Sequence, residues 1–307
     1  MSLVVVGSMA FDALETPFGK TDKIVGGAAT YISLSASYFV KPVNVVSVVG
    51  GDFDQDHINL MHQRNISTEG VQVKENEKSF FWSGRYFNDM NSRETLVTEL
   101  NVLGDFDPII PESYQNCEYL MLGNLAPQVQ RTVLERLNNR PKLIVMDTMN
   151  FWMDIAMDEL QKTIGMVDVL SINDEEARQL SGEYSLVKAA RKIMAMGPKF
   201  LIIKKGEHGA LLFHEDKVFF APALPLEEVF DPTGAGDTFA GGFIGYIAKT
   251  GDISFDGMKR AIIHGSAMAS FCVEKFGTER LKNLGQQEID QRVQQFVNLV
   301  AFDTVLS

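Results

Sequence analysis

Six short apolar runs, rich in Val, Ile and Leu, govern what this chain can fold into: 3–6, 43–49, 119–122, 143–146, 167–172 and 200–203. Their ends are punctuated. Leu3–Val6 stops at Gly7, Val43–Val49 at Gly50-Gly51, Leu143–Met146 at Asp147, and Val167–Ile172 at Asn173. Runs of roughly four to eight residues with little polar alternation are strands buried on both faces. Between the first two, Ala28–Phe39 carries small and apolar residues on one side and reads as a helix. Strand, helix, strand in that order predicts a right-handed parallel crossover.

The rhythm continues to the end of the chain. A helix opens at Pro127 and runs to about Asn138, and others are expected over 174–180, 186–196, 237–249, 257–273 and 286–300. The fold class is therefore α/β, a three-layer α/β/α arrangement around a central, mainly parallel sheet. A single domain over 1–307 is expected, since no low-complexity linker, repeat or charge block divides it. Two stretches break the rhythm: about 12–25 and about 74–100. Ser79–Phe87 (SFFWSGRYF) reads as an extended segment with Gly84 as a bend or bulge. The two stretches can pair into a small β lid over the crevice at the strands' carboxyl ends.

Charge and cysteine content narrow the function. Lys and Arg total 28 against 40 Asp and Glu, a formal charge of −12. Nucleic-acid phosphates call for basic patches, so no nucleic-acid partner is expected. Cys117 and Cys272 stand far apart without a CxxC spacing, which points to a reducing, cytoplasmic setting. No apolar stretch nears the roughly 18 to 20 residues of a membrane helix, so no membrane association is expected. The histidines form no HExxH, and no zinc site is expected.

The most informative segment is Asp231-Pro232-Thr233-Gly234-Ala235-Gly236-Asp237. Proline and two glycines halt the chain ahead of an apolar helix, whose first N–H groups and dipole favour an anion. Asp237 would repel that anion, which makes sense if it takes a proton from a hydroxyl attacking phosphorus. On spacing alone, a glycine-rich turn capped by an acid fits equally well.

The whole string resembles the D-x-x-G-A-G-D signature of the PfkB family of carbohydrate and nucleoside kinases, which have the ribokinase-like fold. The resemblance implies ATP-dependent phosphorylation of a hydroxyl on a small sugar-like or nucleoside-like substrate. Asp237 would be the catalytic base, and the backbone of Gly234, Ala235 and Gly236 the anion hole. It further places a substrate-binding aspartate at Asp12 and a glycine pair closing on the substrate at Gly26-Gly27. Asn173 and Glu176 match the family's N-x-x-E motif for Mg²⁺ and nucleotide phosphates, acting largely through water. The same two residues also make an ordinary helix start. Lys205, Gly206 and Gly209 match a G-x-x-G turn that lines the nucleotide, although such turns are common in hairpins. His264 and Ser266 fall where relatives wall the adenine. Asp231 and Thr233 match a monovalent-cation site, so K⁺ activation is expected alongside ATP and Mg²⁺. Asn124 follows a strand and could reach the substrate.

The chain departs from ribokinase-type ribose sites. Those continue G-G-K-G-A-N and carry an asparagine shortly before the aspartate; here the positions hold Ala28, Tyr31 and Ala10. Each hydroxyl left unmatched costs about 1–3 kcal/mol. Ribose is therefore disfavoured, and a substrate with a more apolar part is expected. The exposed aromatics of the lid, Phe81 and Trp82, offer an alternative use as a homodimer face. A catalytically silent metabolite binder on the same fold is the second reading, although such a protein need not keep Asp237, Asn173 and Glu176. A dinucleotide oxidoreductase is remote, because Gly7-Ser8-Met9 lacks G-x-G-x-x-G. No Walker A loop occurs.

Overall fold

The computed structural model describes residues 2–301. The chain opens with β1 (Leu3–Val6), followed by three short strands, β2 (Ala10–Thr16), β3 (Gly19–Lys20) and β4 (Ile24–Gly26). Next come α1 (Ala28–Ala36), β5 (Val43–Gly50), α2 (Gln55–Gln63), β6 (Ile66–Lys74), β7 (Phe80–Tyr86) and β8 (Arg93–Glu99). The middle holds β9 (Tyr119–Leu122), α3 (Pro127–Arg136), β10 (Leu143–Asp147), α4 (Asn150–Ile155), α5 (Met157–Ile164) and β11 (Val169–Asn173). Then follow α6 (Asp174–Ser181), α7 (Leu186–Met194), β12 (Phe200–Lys204), β13 (Ala210–His214) and β14 (Lys217–Ala221). Three long helices close the described chain: α8 (Ala235–Thr250), α9 (Phe255–Cys272) and α10 (Gln286–Val300).

Nine of these strands form one sheet in the order β14-β13-β12-β11-β10-β9-β1-β5-β6. All neighbours pair in parallel except β12 with β13 and β13 with β14. The alternation of β1 shows why both faces are covered. Leu3 and Val5 join one core cluster with Ile244 and Ile262 of α8 and α9. Val4 and Val6 join the opposite cluster with Val133, Leu160 and Ile193 of α3, α5 and α7. Burying each such side chain contributes about 1.5–3 kcal/mol. Among the described residues, no helix is long and apolar enough to cross a membrane.

From β1 the chain runs outward through β5 and β6, then returns to β9 on the other side of β1. Strand order therefore reverses beside β1, and ligands of open α/β sheets bind in the crevice at such a switch, outside the strands' carboxyl ends. Helix α8 points its N-terminus at that end of the sheet. Ser35 of α1 anchors the first turn of α8 by donating its hydroxyl to the Thr238 carbonyl at 2.7 Å.

A second sheet has the order β3-β2-β7-β8, with β4 on the other part of β2. Strand β2 pairs in parallel with β7, setting Asp12 beside Trp82 and Leu14 beside Gly84. The ladder between β7 and β8 slips between Ser83 and Gly84. Even-numbered Asp12, Leu14, Thr16 and Tyr86 face the body and are buried, while Phe11 on the opposite face is covered by Phe53 and His57. Odd-numbered Glu15 and Arg85 pair on the outer face at 3.3 Å. Trp82 thus shares the inner face, whereas Phe81 points the other way beside Phe11. Every residue of β8 is exposed.

Several boundaries differ from the sequence reading. Helix α1 stops at Ala36, and 37–39 form a turn. Strand β6, helices α2, α4 and α5, and the β13–β14 hairpin were not anticipated. Residue 74 belongs to β6 of the large sheet, so the second sheet draws on Phe80–Glu99 instead.

Candidate active site

The carboxyl ends of three adjacent strands supply the charged floor: Asp147 of β10, Asn173 of β11 and Lys204 of β12. Lys204 Nζ donates to Asp147 Oδ2 at 2.5 Å, and both side chains are largely buried. Burial alone would lower the Lys204 pKa, but the charges of Asp147 and Glu176 outweigh it and hold the amine protonated. Asn173 and Glu176 close a reciprocal cap on α6. The Glu176 N–H donates to Asn173 Oδ1, and the Asn173 N–H donates to Glu176 Oε2, each at 2.7 Å. The other Glu176 oxygen and the Asn173 amide group have no protein partner among the described residues. Burial pushes the Glu176 carboxyl up to about 7; Lys204 opposes that shift and Asp147 adds to it.

The 231–237 turn stands across from this floor. Asp231 braces it from below: Oδ1 accepts the Thr233 N–H and Oδ2 accepts the Gly277 N–H, both at 2.8 Å. Gly234 has φ of 73°, and a Cβ there would lie 2.5 Å from the fully buried ring of Tyr31. Any larger residue would be strained and would also clash. The Ala235 N–H already donates to the Pro232 carbonyl at 3.1 Å. The N–H groups of Gly234, Gly236 and Asp237 have no acceptor among the described residues and open the helix N-terminus to an anion.

Asp237 is half-buried and makes no side-chain hydrogen bond. Burial, with the Asp147 charge adding, pushes its carboxyl up to about 7 against the pull of Lys204 and Arg93. Asp12 lies close enough for its charge to interact with those of Asp231 and Asp237. It is 5% exposed and its side chain also makes no hydrogen bond. Burial first, then Asp231 and Asp237, push its pKa up to about 8. Gly26 gives it room, since a Cβ there would sit 1.9 Å from Asp12 Oδ2. A buried carboxylate without donors is costly unless a ligand brings them.

On the far side of Gly236 a cavity of about 470 Å³ opens. Lys204, Gly206, Gly209 and Ser266 line it, with an apolar wall that includes Leu224, Val229 and Phe239. Asp89, Met90 and Asn91, from the turn between β7 and β8, reach its rim. Its size and lining suit a flat base with attached polar groups.

Two nucleotide-side expectations land elsewhere. Lys205 does not line the cavity; side chains alternate at the strand's end, and its neighbour Lys204 points in instead. His264 stacks on Tyr246 at 3.9 Å and donates its Nδ1–H to the Arg260 carbonyl, away from the cavity. Asn124 stands at the end of β9, but its amide is held by Trp152 Nε1–H and by Met149 Sδ, each at 2.9 Å. Sequence reasoning missed Asp147 and Arg93, and took Lys204 and Lys205 together as a pair that neutralises phosphate or is only solvated, without separating them. The carboxyl-end position of Asp147 and Lys204 was the available signal.

No group of three or more His, Cys, Asp or Glu side chains is arranged to hold a metal among the described residues. The single free Glu176 oxygen does fit Mg²⁺, which keeps several waters and shares carboxylates with phosphates. Both Asp231 oxygens already accept N–H groups, and the Thr233 hydroxyl bonds Tyr86 Oη at 3.1 Å, so these two act here as braces.

The raised carboxyls of Asp12, Glu176 and Asp237, with Asp231 raised beside them by burial, make a pH prediction. Each binds a proton more tightly folded than unfolded, so its contribution to stability is present at low pH and is lost as pH rises through the folded value. Thermal unfolding without ligands is expected to show Tm declining from about pH 5 to about pH 8.5. Asp12→Asn should flatten that decline; parallel profiles for the two proteins would remove Asp12 as a cause.

The pfkB family carbohydrate kinase model matches residues 2–283. A cytidine kinase of Thermococcus kodakarensis is 31% identical over 250 residues, covering 80% of this chain and 87% of that protein. A nucleoside kinase of Methanocaldococcus jannaschii is 37% identical over 265 residues, covering 84% of this chain and 82% of that protein. Among solved structures, a Burkholderia thailandensis nucleoside kinase in complex with ADP-inosine superposes with a TM-score of 0.76 at 19% identity, covering 96% of each chain.

Proposed function

The chain belongs to the pfkB family of carbohydrate kinases, and we propose that its acceptor is a nucleoside, phosphorylated on a ribose hydroxyl by ATP. The observation that carries this reading is the position of Asp237. It stands between a cavity suited to a nucleotide and a buried carboxylate, Asp12, that lacks any donor. A ribose diol is the matching partner for such a carboxylate, because two adjacent hydroxyls can donate to its two oxygens. The relatives named as nucleoside and cytidine kinases support the choice of acceptor.

In this mechanism Asp237 accepts the proton of the acceptor hydroxyl as that oxygen attacks the γ-phosphorus and the bond to the ADP oxygen breaks. The N–H groups of Gly234, Gly236 and Asp237 hold the charge that develops on the transferred group, and Lys204 adds its positive charge beside them. Mg²⁺, held through water by Glu176 with Asn173 nearby, would neutralise phosphate charge. Ser266, Gly206 and Gly209 would border the nucleotide. The second sheet would act as a lid, closing Tyr86 over the cleft and excluding water.

Turnover with Mg-ATP against a panel of nucleosides and free sugars, each with and without K⁺, tests the reading. ADP formation with at least one nucleoside, absent from an Asp237→Ala blank, is expected. Turnover of free sugars alone would replace the nucleoside with a carbohydrate acceptor, and ADP formation equal in the blank would remove the assignment of Asp237.

A further inference from the structure

The inner face of the second sheet carries an aromatic plate next to the unpaired carboxylate. Trp82 is the direct register partner of Asp12, so both side chains leave the sheet toward the cleft. The indole lies flat along β7 over Gly84: a Cβ on Gly84 would sit 2.2 Å from Cη2 and 2.5 Å from Cζ2. Gly84 therefore gives the ring its bed, and any side chain there would lift it. The ring is pinned in its plane, with Nε1–H donating to Thr95 Oγ1 at 3.3 Å. Trp82 remains half-buried, with one face against the backbone and the Arg93 guanidinium 5.7 Å from its ring centroid.

The geometry points to Trp82 as the residue that recognises the acceptor's base, by stacking the face turned away from Gly84 on the ring of a nucleoside whose ribose hydroxyls donate to Asp12. This rests on the nucleoside reading above. The distance along the sheet suits it, since Asp12 and Trp82 are adjacent strand partners and a base is joined directly to its ribose. The indole N–H is already committed to Thr95, so it offers the base no directional hydrogen bond. Stacking on a π-face tolerates any base. Recognition by Trp82 therefore separates nucleosides from base-free sugars and leaves purines and pyrimidines nearly equal in this contribution. It also accounts for the aromatic content of the segment without a second copy of the chain, because Trp82 faces inward while Phe81 takes the outer face.

The test compares wild type, Trp82→Ala and Trp82→Phe with adenosine, cytidine and 1-O-methyl riboside, the last read as KM or, where turnover is slow, as a competitive Ki. Trp82→Ala is expected to raise KM for both nucleosides by about 10- to 100-fold with little change in kcat, and to leave the methyl riboside within about threefold. Trp82→Phe should recover most of the nucleoside affinity, which a merely structural role in the sheet would not tie to the base. Unchanged nucleoside KM in Trp82→Ala overturns the assignment, as does an equal rise for the base-free riboside. If wild type turns over no nucleoside, the acceptor reading fails first and this inference falls with it.

Discussion

Asp237→Asn is expected to lower kcat by about 10²–10⁴-fold while leaving the affinity for Mg-ATP within about threefold. The substitution keeps size and shape and removes only the ability to accept a proton. Asp237 makes no side-chain hydrogen bond, so the amide breaks no structural contact. The pH dependence gives a second readout. Burial holds the wild-type carboxyl at about 7, so the ionised base accumulates as pH rises, and kcat/KM should climb through that range. The variant should lose this limb along with its rate. Asp12, raised to about 8, also ionises in this region, but in the proposed complex it holds the acceptor and so would act on the KM. Proton uptake by Asp237 therefore shows in the pH profile of kcat with saturating acceptor. A variant that keeps kcat within about tenfold of wild type, or retains the acid limb, would remove Asp237 as the base.

That prediction rests on the part of the site most legible in the sequence. The string from Asp231 to Asp237 is local, and its demands are local: a positive φ at Gly234, free N–H groups, an acid at the helix start. The strands of the central sheet were legible for the same reason, since burial on both faces leaves a continuous apolar run. Strand β6 was not legible. Its sequence, ISTEGVQVK, is polar at its start, and it lies at the sheet edge with a register shift opposite Asn44 and Val46. The Asp147–Lys204 pair was equally hidden. Its partners are 57 residues apart, on strands that flank β11, and only the three-dimensional order β10-β11-β12 brings them together. The choice between Lys204 and Lys205 depends on strand parity at a terminus, where a shift of one residue exchanges inward for outward. His264 failed for a related reason: a small-residue helix can present its wall residues on either side, and here the histidine packs on Tyr246 and Phe39.

The hidden pair supplies the second large effect. Lys204→Met removes the cation from a largely buried ion pair and leaves Asp147 buried with no counter-charge. Breaking such a pair from one side typically costs about 3–5 kcal/mol, or about 5–8 °C of Tm for a chain of this length. Turnover should fall as well, by about 10²–10³-fold, because Lys204 adjoins the open N–H groups of α8. A Cβ on Gly236 would lie 3.3 Å from Lys204 Nζ. Lys204 also opposes the rise of the Asp237 pKa, so any residual activity should need higher pH than in wild type. The double variant Lys204→Met/Asp147→Leu separates the two roles. Replacing both charges with apolar groups of similar volume is often neutral or stabilising, so the double variant should regain most of the lost Tm and none of the lost turnover. That outcome would mean the pair is kept for phosphoryl transfer, with the fold able to do without it. Recovery of both Tm and turnover would reduce Lys204 to a partner for Asp147, and an unchanged Tm in the single variant would show that water already screens the pair.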